Sequence, residues 1–250
     1  MKFRVSDLLI FCLLFIFVVA FPVDLFPIEQ FYKMLIQVGL RLLILTYYIY
    51  ICVKYRINLL KFNNWKRLLL FAPFLLACFS NLIAAGIDQG YTGFITMESG
   101  YLVLLIIFHF LTAVIEEIVF RVFIHSSLVN VGSLKRIFAS AGIFALMHLL
   151  NIVNISSVEG LITVSIQVVY NFGLGILLGF IYEYSYSYVG CVFLHFCFNL
   201  FNTVVFQYLG CECSDFTFYM TAVVIAVILA VYTFLIYQFV LTRNERYFRE

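Results

Sequence analysis

The stretch AVIEEIVFRVF, residues 113–123, places Glu116, Glu117 and Arg121 inside an otherwise apolar run. An ionised side chain in hydrocarbon costs about 3 kcal/mol or more, so such groups mark either chemistry or a paired structural site. Glu117 and Arg121 are four residues apart, share one helix face and can pair. Glu116 points about 100° away from Glu117 by helical geometry, which leaves it without that local partner. It needs one from another helix. Two later apolar runs offer candidates. FALMH holds Phe144 and His148 four apart, and HFCFN holds His195 and Asn199 four apart.

These residue types support a specific chemistry. A carboxylate held in low dielectric can act as general base. A nearby histidine can orient it or share its proton. A second histidine with an asparagine on the same helix face supplies two donors suited to an oxyanion. Together, Glu116, His148, His195 and Asn199 could activate water against a carbonyl. Glu116, His148 and His195 also match the ligand set of a zinc hydrolase, so a divalent metal such as zinc stays open. No helix carries H-E-x-x-H, which excludes a zincin arrangement. Each residue alone also has a plain reading. A single intramembrane histidine is usually a packing residue, Asn199 could be interhelical glue, and Glu117 with Arg121 reads first as a structural pair. His109 and His125 fit no pattern and are read as structural.

The elements that position these groups are membrane helices. The 250 residues are 65% hydrophobic and 11% charged, with a mean hydropathy of +1.09. A soluble domain is nearer half apolar and a quarter charged. The expected fold is all-α: one membrane-embedded domain over residues 1–250, a polytopic bundle of about eight transmembrane helices. The apolar segments run over residues 6–22, 31–53, 68–87, 100–124, 137–150, 160–182, 188–208 and 217–241. The first resembles a signal peptide but lacks a small-x-small cleavage site, and is read as a retained span. With three prolines in the chain, most spans can be unbroken helix.

Charge sets the expected orientation. Lys2, Arg4, Lys54, Arg56, Lys61, Lys66, Arg67, Lys135, Arg136, Arg243, Arg246 and Arg249 are twelve of the fifteen basic residues, and fall on one side if there are eight spans. Asp24, Glu29, Asp88, Glu98, Glu159, Glu212 and Asp215 fall on the other. Both termini are therefore expected in the cytoplasm. Of the remaining bases, Lys33 can snorkel from a helix end, and Arg41 is read as a structural ion pair or a sign of a tilted, interfacial second helix. At 1.5 Å per residue, Glu116 lies about 13 Å from the cytoplasmic end of its span, His148 about 16 Å and His195 about 10 Å. Three helices thus bring ionisable groups to similar depth, as one shared polar cavity requires.

EEIVFR, FALMH and HFCFN also fit the ordered motifs E-E-x-x-x-R, F-x-x-x-H and H-x-x-x-N. In that order, on separate spans, they resemble the CAAX protease and bacteriocin-processing (CPBP, or Abi) family of intramembrane proteases. The glycine-rich run from Gly173 into the His195 span is similar as well, and the resemblance covers about residues 100–205, a catalytic core. It implies an eight-helix membrane peptidase that cuts a peptide or membrane-tethered protein near the cytoplasmic face. Carried over, Glu116 would activate water with help from His148, His195 and Asn199 would stabilise the oxyanion, and Glu117 and Arg121 would order the site. Val122 stands where the family often has Gly.

The resemblance points to a glutamate-dependent enzyme in a bacterial plasma membrane, acting in peptide maturation or bacteriocin self-immunity. The competing readings are a catalytically silent scaffold or immunity protein and, further off, a proton-coupled transporter. The expected partners are the substrate and the lipid bilayer, with no nucleic acid. Gly175 and Gly179 form G-x-x-x-G, read first as packing between the sixth and seventh spans and second as a homodimer contact. Cys211 and Cys213 flank Glu212, and two thiols one residue apart are too few for a zinc site.

Overall fold

A computed structural model describes residues 5–19, 21–23, 26–60, 68–154 and 157–238. Lys2, Arg4, Asp24, Lys61, Lys66, Arg67, Arg243, Arg246 and Arg249 lie outside the described residues, as do the side chains of Glu159 and Asp215. The described chain is helical. Its long elements are α1 (Val5–Val19), α2 (Gln30–Lys54), α3 (Ser80–Asp88), α4 (Ser99–Glu117), α5 (Ser133–Met147), α6 (Val158–Ser185), α7 (Tyr188–Asn199) and α8 (Asp215–Ile236). Serines set the starts of three helices. Ser157, Ser187 and Ser214 accept the backbone N–H of Gly160, Gly190 and Thr217, satisfying one orphan donor in each first turn. Only Tyr186 and Ser187 separate α6 from α7. Tyr186 takes the left-handed conformation at φ 53° and turns the chain back on itself.

Among the described residues, six helical segments are long and apolar enough to cross a membrane, where about eight spans are expected from the sequence. The expected first span is a shorter apolar helix. The third expected span is broken. A 3-10 turn at Ala72–Phe74 leads to a single helical turn at Leu75–Cys78, and Phe79 then separates that turn from α3. Pro73 lies in the 3-10 turn, where it supplies no backbone N–H and disfavours the helical conformation of Ala72 before it. Asn202 bridges the break: its Oδ1 accepts from the Asn81 amide, its Nδ2–H donates to the Ala77 carbonyl, and its own carbonyl accepts from Asn81 Nδ2.

Two large apolar clusters, with a smaller one around Met34, Leu105 and Val204, hold the bundle. Phe11, Phe15, Tyr48, Phe120 and Phe123 form the centre of one. Phe71, Phe74, Leu178, Ile181 and Leu229 form the centre of the other. α7 feeds both, through Tyr188 and Val192 on one side and Cys191 and Leu194 on the other. It is tied to α4 by the Tyr188 hydroxyl, which donates to the Val114 carbonyl at 2.9 Å. The G-x-x-x-G pair packs α6 internally, but against the fifth helix and not the seventh. A Cβ on Gly175 would meet the Ala141 Cα at 3.0 Å, and one on Gly179 would meet Ile137 Cγ2 at 2.9 Å. Small residues are needed because the α5 backbone passes that close at Gly175 and the Ile137 side chain does so at Gly179.

Candidate active site

Each helix that carries a motif changes its winding at the motif. α4 is α-helical through Glu117 and becomes a π-helix over Ile118–His125. α5 is α-helical to Met147 and tightens to 3-10 over His148–Asn154. α7 is α-helical to Asn199 and becomes a π-helix over Leu200–Val205. π segments are rare and frequent at functional sites. The regular 3.6-residue period assumed from the sequence therefore ends at the residues of interest. The i,i+4 pairing across the first junction survives: Arg121 Nε–H donates to Glu117 Oε2 at 2.9 Å, both side chains fully buried.

Glu117 has a second partner that its spacing did not suggest. His195 Nδ1–H donates to Glu117 Oε1 at 2.9 Å. One carboxylate thus holds a guanidinium with one oxygen and an imidazole with the other. The guanidinium is fixed further by Nη1–H to Ser140 Oγ at 3.3 Å, and that hydroxyl donates to the Phe120 carbonyl. With Nδ1 engaged, His195 presents Nε2 to Glu116 Oε2 at 3.5 Å. Glu116 therefore finds the interhelical partner that its orientation demanded.

Phe144 explains the first position of the FALMH motif. Its ring packs edge-on against His148 at 4.9 Å and against His195 at 5.8 Å between centroids. Arg121 lies 5.6 Å from the same ring. The aromatic fills the space between three polar groups and fixes their spacing without adding a charge. His148 Nδ1–H donates to the Phe144 carbonyl at 3.0 Å, which sets its tautomer and leaves Nε2 as the nitrogen available to a ligand. The Asn199 side chain makes no hydrogen bond with a described residue.

A cavity of about 1060 Å³ sorts the six candidates. Glu116, His148, His195 and Asn199 line it, while Glu117 and Arg121 stand behind the wall. The structure thus brings Glu116 and His195 together directly, and His148 and Asn199 to the same cavity. Among the described residues no group of three His, Cys, Asp or Glu side chains is placed to hold a metal ion. Glu116, His148 and His195 do not close on one point, and the His195 nitrogen nearest Glu117 is occupied.

Three further residues read from the sequence find their surroundings in the structure. His109, read as structural, lines the cavity. Arg41 lines it too and makes no carboxylate ion pair among the described residues; it bonds Thr112 and Gln37. His125 is structural, and its partner is Glu183, which also pairs with Arg136. Glu183 went unassigned in the sequence, although an acid at a span end near the Lys135–Arg136 turn was the available signal.

Comparison with known proteins supplies the rest. A family model described as type II CAAX prenyl endopeptidase Rce1-like matches residues 98–201. No curated protein and no solved structure matches the chain. The matched stretch spans all three motifs, the family is one of proteases, and the long apolar helices make this a multi-pass membrane protein. The resemblance to the CAAX protease and bacteriocin-processing family, first read from EEIVFR, FALMH and HFCFN, is thus shown over this central part of the chain.

Proposed function

We propose that the protein is an intramembrane endopeptidase that hydrolyses a peptide bond of a peptide or membrane-tethered protein near the cytoplasmic face of a bacterial plasma membrane. The observation that carries this reading is the 3.5 Å approach of Glu116 to His195 on the wall of a cavity inside an apolar bundle. Two helices distant in sequence expose one carboxylate and one imidazole to the same space, held from behind by a fully buried ion pair.

The chemistry follows from those positions. Glu116 accepts a proton from water as the oxygen attacks the carbonyl carbon. The carbonyl oxygen becomes an oxyanion, for which Asn199 Nδ2–H and a protonated His195 Nε2–H are the donors. Glu117 holds the His195 ring in one orientation throughout, with Arg121 holding Glu117. His148, its Nε2 free, assists the transfer of the proton to the leaving nitrogen. The C–N bond breaks as the proton held by Glu116 passes to the leaving nitrogen, the second water proton follows, and the products are a carboxylate and an ammonium. No step in this scheme passes through a metal.

The test is comparative peptidomics of cells carrying wild-type protein or Glu116→Gln at equal abundance. The expected result is a set of cleaved products present with wild type and absent with Glu116→Gln. Identical products from both would overturn the reading and favour a silent scaffold.

A further inference from the structure

Arg41 is a buried base that the reaction scheme leaves unused. It is 6% exposed. Its Nε–H donates to Thr112 Oγ1 at 2.9 Å, and its Nη1–H reaches both the carbonyl and Oε1 of Gln37 at 3.2 Å. Its guanidinium carbon lies 3.9 Å from the centroid of the Phe108 ring. These neutral partners fix the plane of the group without matching its charge. Among the described residues no carboxylate lies within 4.0 Å of it, whereas Arg121 has Glu117 at 2.9 Å. Its Nη2 donates to no described residue, and Arg41 is one of the residues that line the cavity.

A buried base that is only structural is normally matched by an acid. Glu116 is the one carboxylate on the cavity wall among the described residues. When it takes the proton from water it becomes neutral, and the charge on Arg41 then has no counterpart. Position adds to this. Thr112, which holds Arg41, is four residues before Glu116 on α4, and side chains so spaced are about 5–6 Å apart on one helix face. The residue that holds the guanidinium is therefore one helical turn from Glu116, on the same face of α4.

We propose that Arg41 is an anion subsite that binds a carboxylate of the substrate chain beside the bond Glu116 attacks. This rests on the endopeptidase reading above. The carboxylate is either the free C-terminus or an Asp or Glu side chain, and the two are separable by experiment.

The probes are fluorophore-labelled randomised ten-residue peptides, made as free acids and as C-terminal amides, each with and without Asp and Glu. They are offered to wild type, Arg41→Gln and Arg41→Lys in neutral detergent. For the peptides carrying the recognised carboxylate, Arg41→Gln raises KM by about tenfold or more, as loss of a charge-assisted hydrogen bond implies, with kcat within about twofold. Uncharged peptides respond little, and Arg41→Lys keeps part of the preference. Whether the free acid or the acidic side chain is affected identifies the source. Equal slowing of all peptides would overturn the subsite, as would a KM effect seen only with added phosphatidylglycerol, which would assign the guanidinium to a lipid phosphate. If Arg41→Gln does not accumulate, Arg41→Lys decides, and an unchanged preference counts against the proposal. If wild type cleaves no peptide, the endopeptidase reading fails by itself. Anisotropy with the same peptides then judges the subsite: tighter binding of the anionic peptides, lost in Arg41→Gln, supports it, and equal binding overturns it.

Discussion

The molecule builds the same three-residue arrangement twice. Glu117 accepts from Arg121 and from His195 Nδ1, and Glu183 accepts from Arg136 and from His125 Nε2. The first joins two helices through one carboxylate, and the second joins three. They differ in what the second nitrogen of the histidine meets. His195 turns Nε2 to Glu116 at the cavity. His125 turns Nδ1 into packing where it has no hydrogen-bond partner among the described residues. An Arg–Glu–His cluster is therefore a means of fixing an imidazole in a bundle. Chemistry needs, in addition, a second carboxylate and room for a substrate, and only the first cluster has both.

The largest separation between the clusters is expected in activity. His195→Ala removes the ring that faces Glu116, so turnover of a cleaved peptide falls by about 10²–10⁴-fold, the usual range for a positioned acid–base group. His125→Ala leaves the cavity wall intact and keeps turnover within a few-fold. Rates at matched abundance check both. A comparable loss in the two variants would erase the distinction and make His195 a second structural histidine.

Stability should separate them next, and in terms of burial. Glu117→Gln leaves Arg121 charged at zero side-chain exposure. Removing one partner of such a pair costs about 3–5 kcal/mol. Glu183→Gln leaves Arg136 at 15% exposure, beside a carboxylate position itself 13% exposed, where water and headgroups can reach it. The expected loss is nearer about 1 kcal/mol. Thermal unfolding in detergent measures the difference. Equal shifts would mean that the buried pair is not what holds the site.

This contrast also explains what could be read from sequence. Glu116, Glu117 and Arg121 were legible because charge in an apolar span is conspicuous, and Glu117–Arg121 because i,i+4 spacing outlasts the change to π winding. The need of Glu116 for an interhelical partner followed from helical angle alone. Four features were not legible. The engagement of His195 with Glu117 depends on how α7 is rotated against α4, which side-chain periodicity does not fix to the nearest nitrogen. The changes of winding at Ile118, His148 and Leu200 are features of the folded bundle that side-chain periodicity does not report. The partner of Gly175 and Gly179 could be any adjacent helix, because a small-residue stripe specifies close approach and not the neighbour. The break in the third span was signalled by Pro73, and its repair by Asn202 was not.

A third carboxylate gives the low end of the scale. Asp88, at the end of α3, is exposed, and its partners are neutral: the Thr217 hydroxyl donates to Oδ1 and the Ser214 amide to Oδ2, each at 2.6 Å. Ser214 Oγ in turn accepts from the Thr217 amide, so Asp88 braces the cap of α8 from outside. The Thr217 hydroxyl, then the Ser214 amide and hydroxyl, hold the Asp88 carboxyl below the ordinary aspartate range. A carboxyl depressed on folding contributes stability above its unfolded pKa, and that contribution disappears as pH falls through the folded value. Asp88→Asn should therefore lower the unfolding midpoint slightly at neutral pH and leave it unchanged in acid well below the aspartate range. Midpoints of both proteins across that range test it. A deficit that persists in acid would show that the geometry of the cap, and not the charge of Asp88, carries the effect, whereas for Glu117 charge and geometry are inseparable because no water reaches the pair.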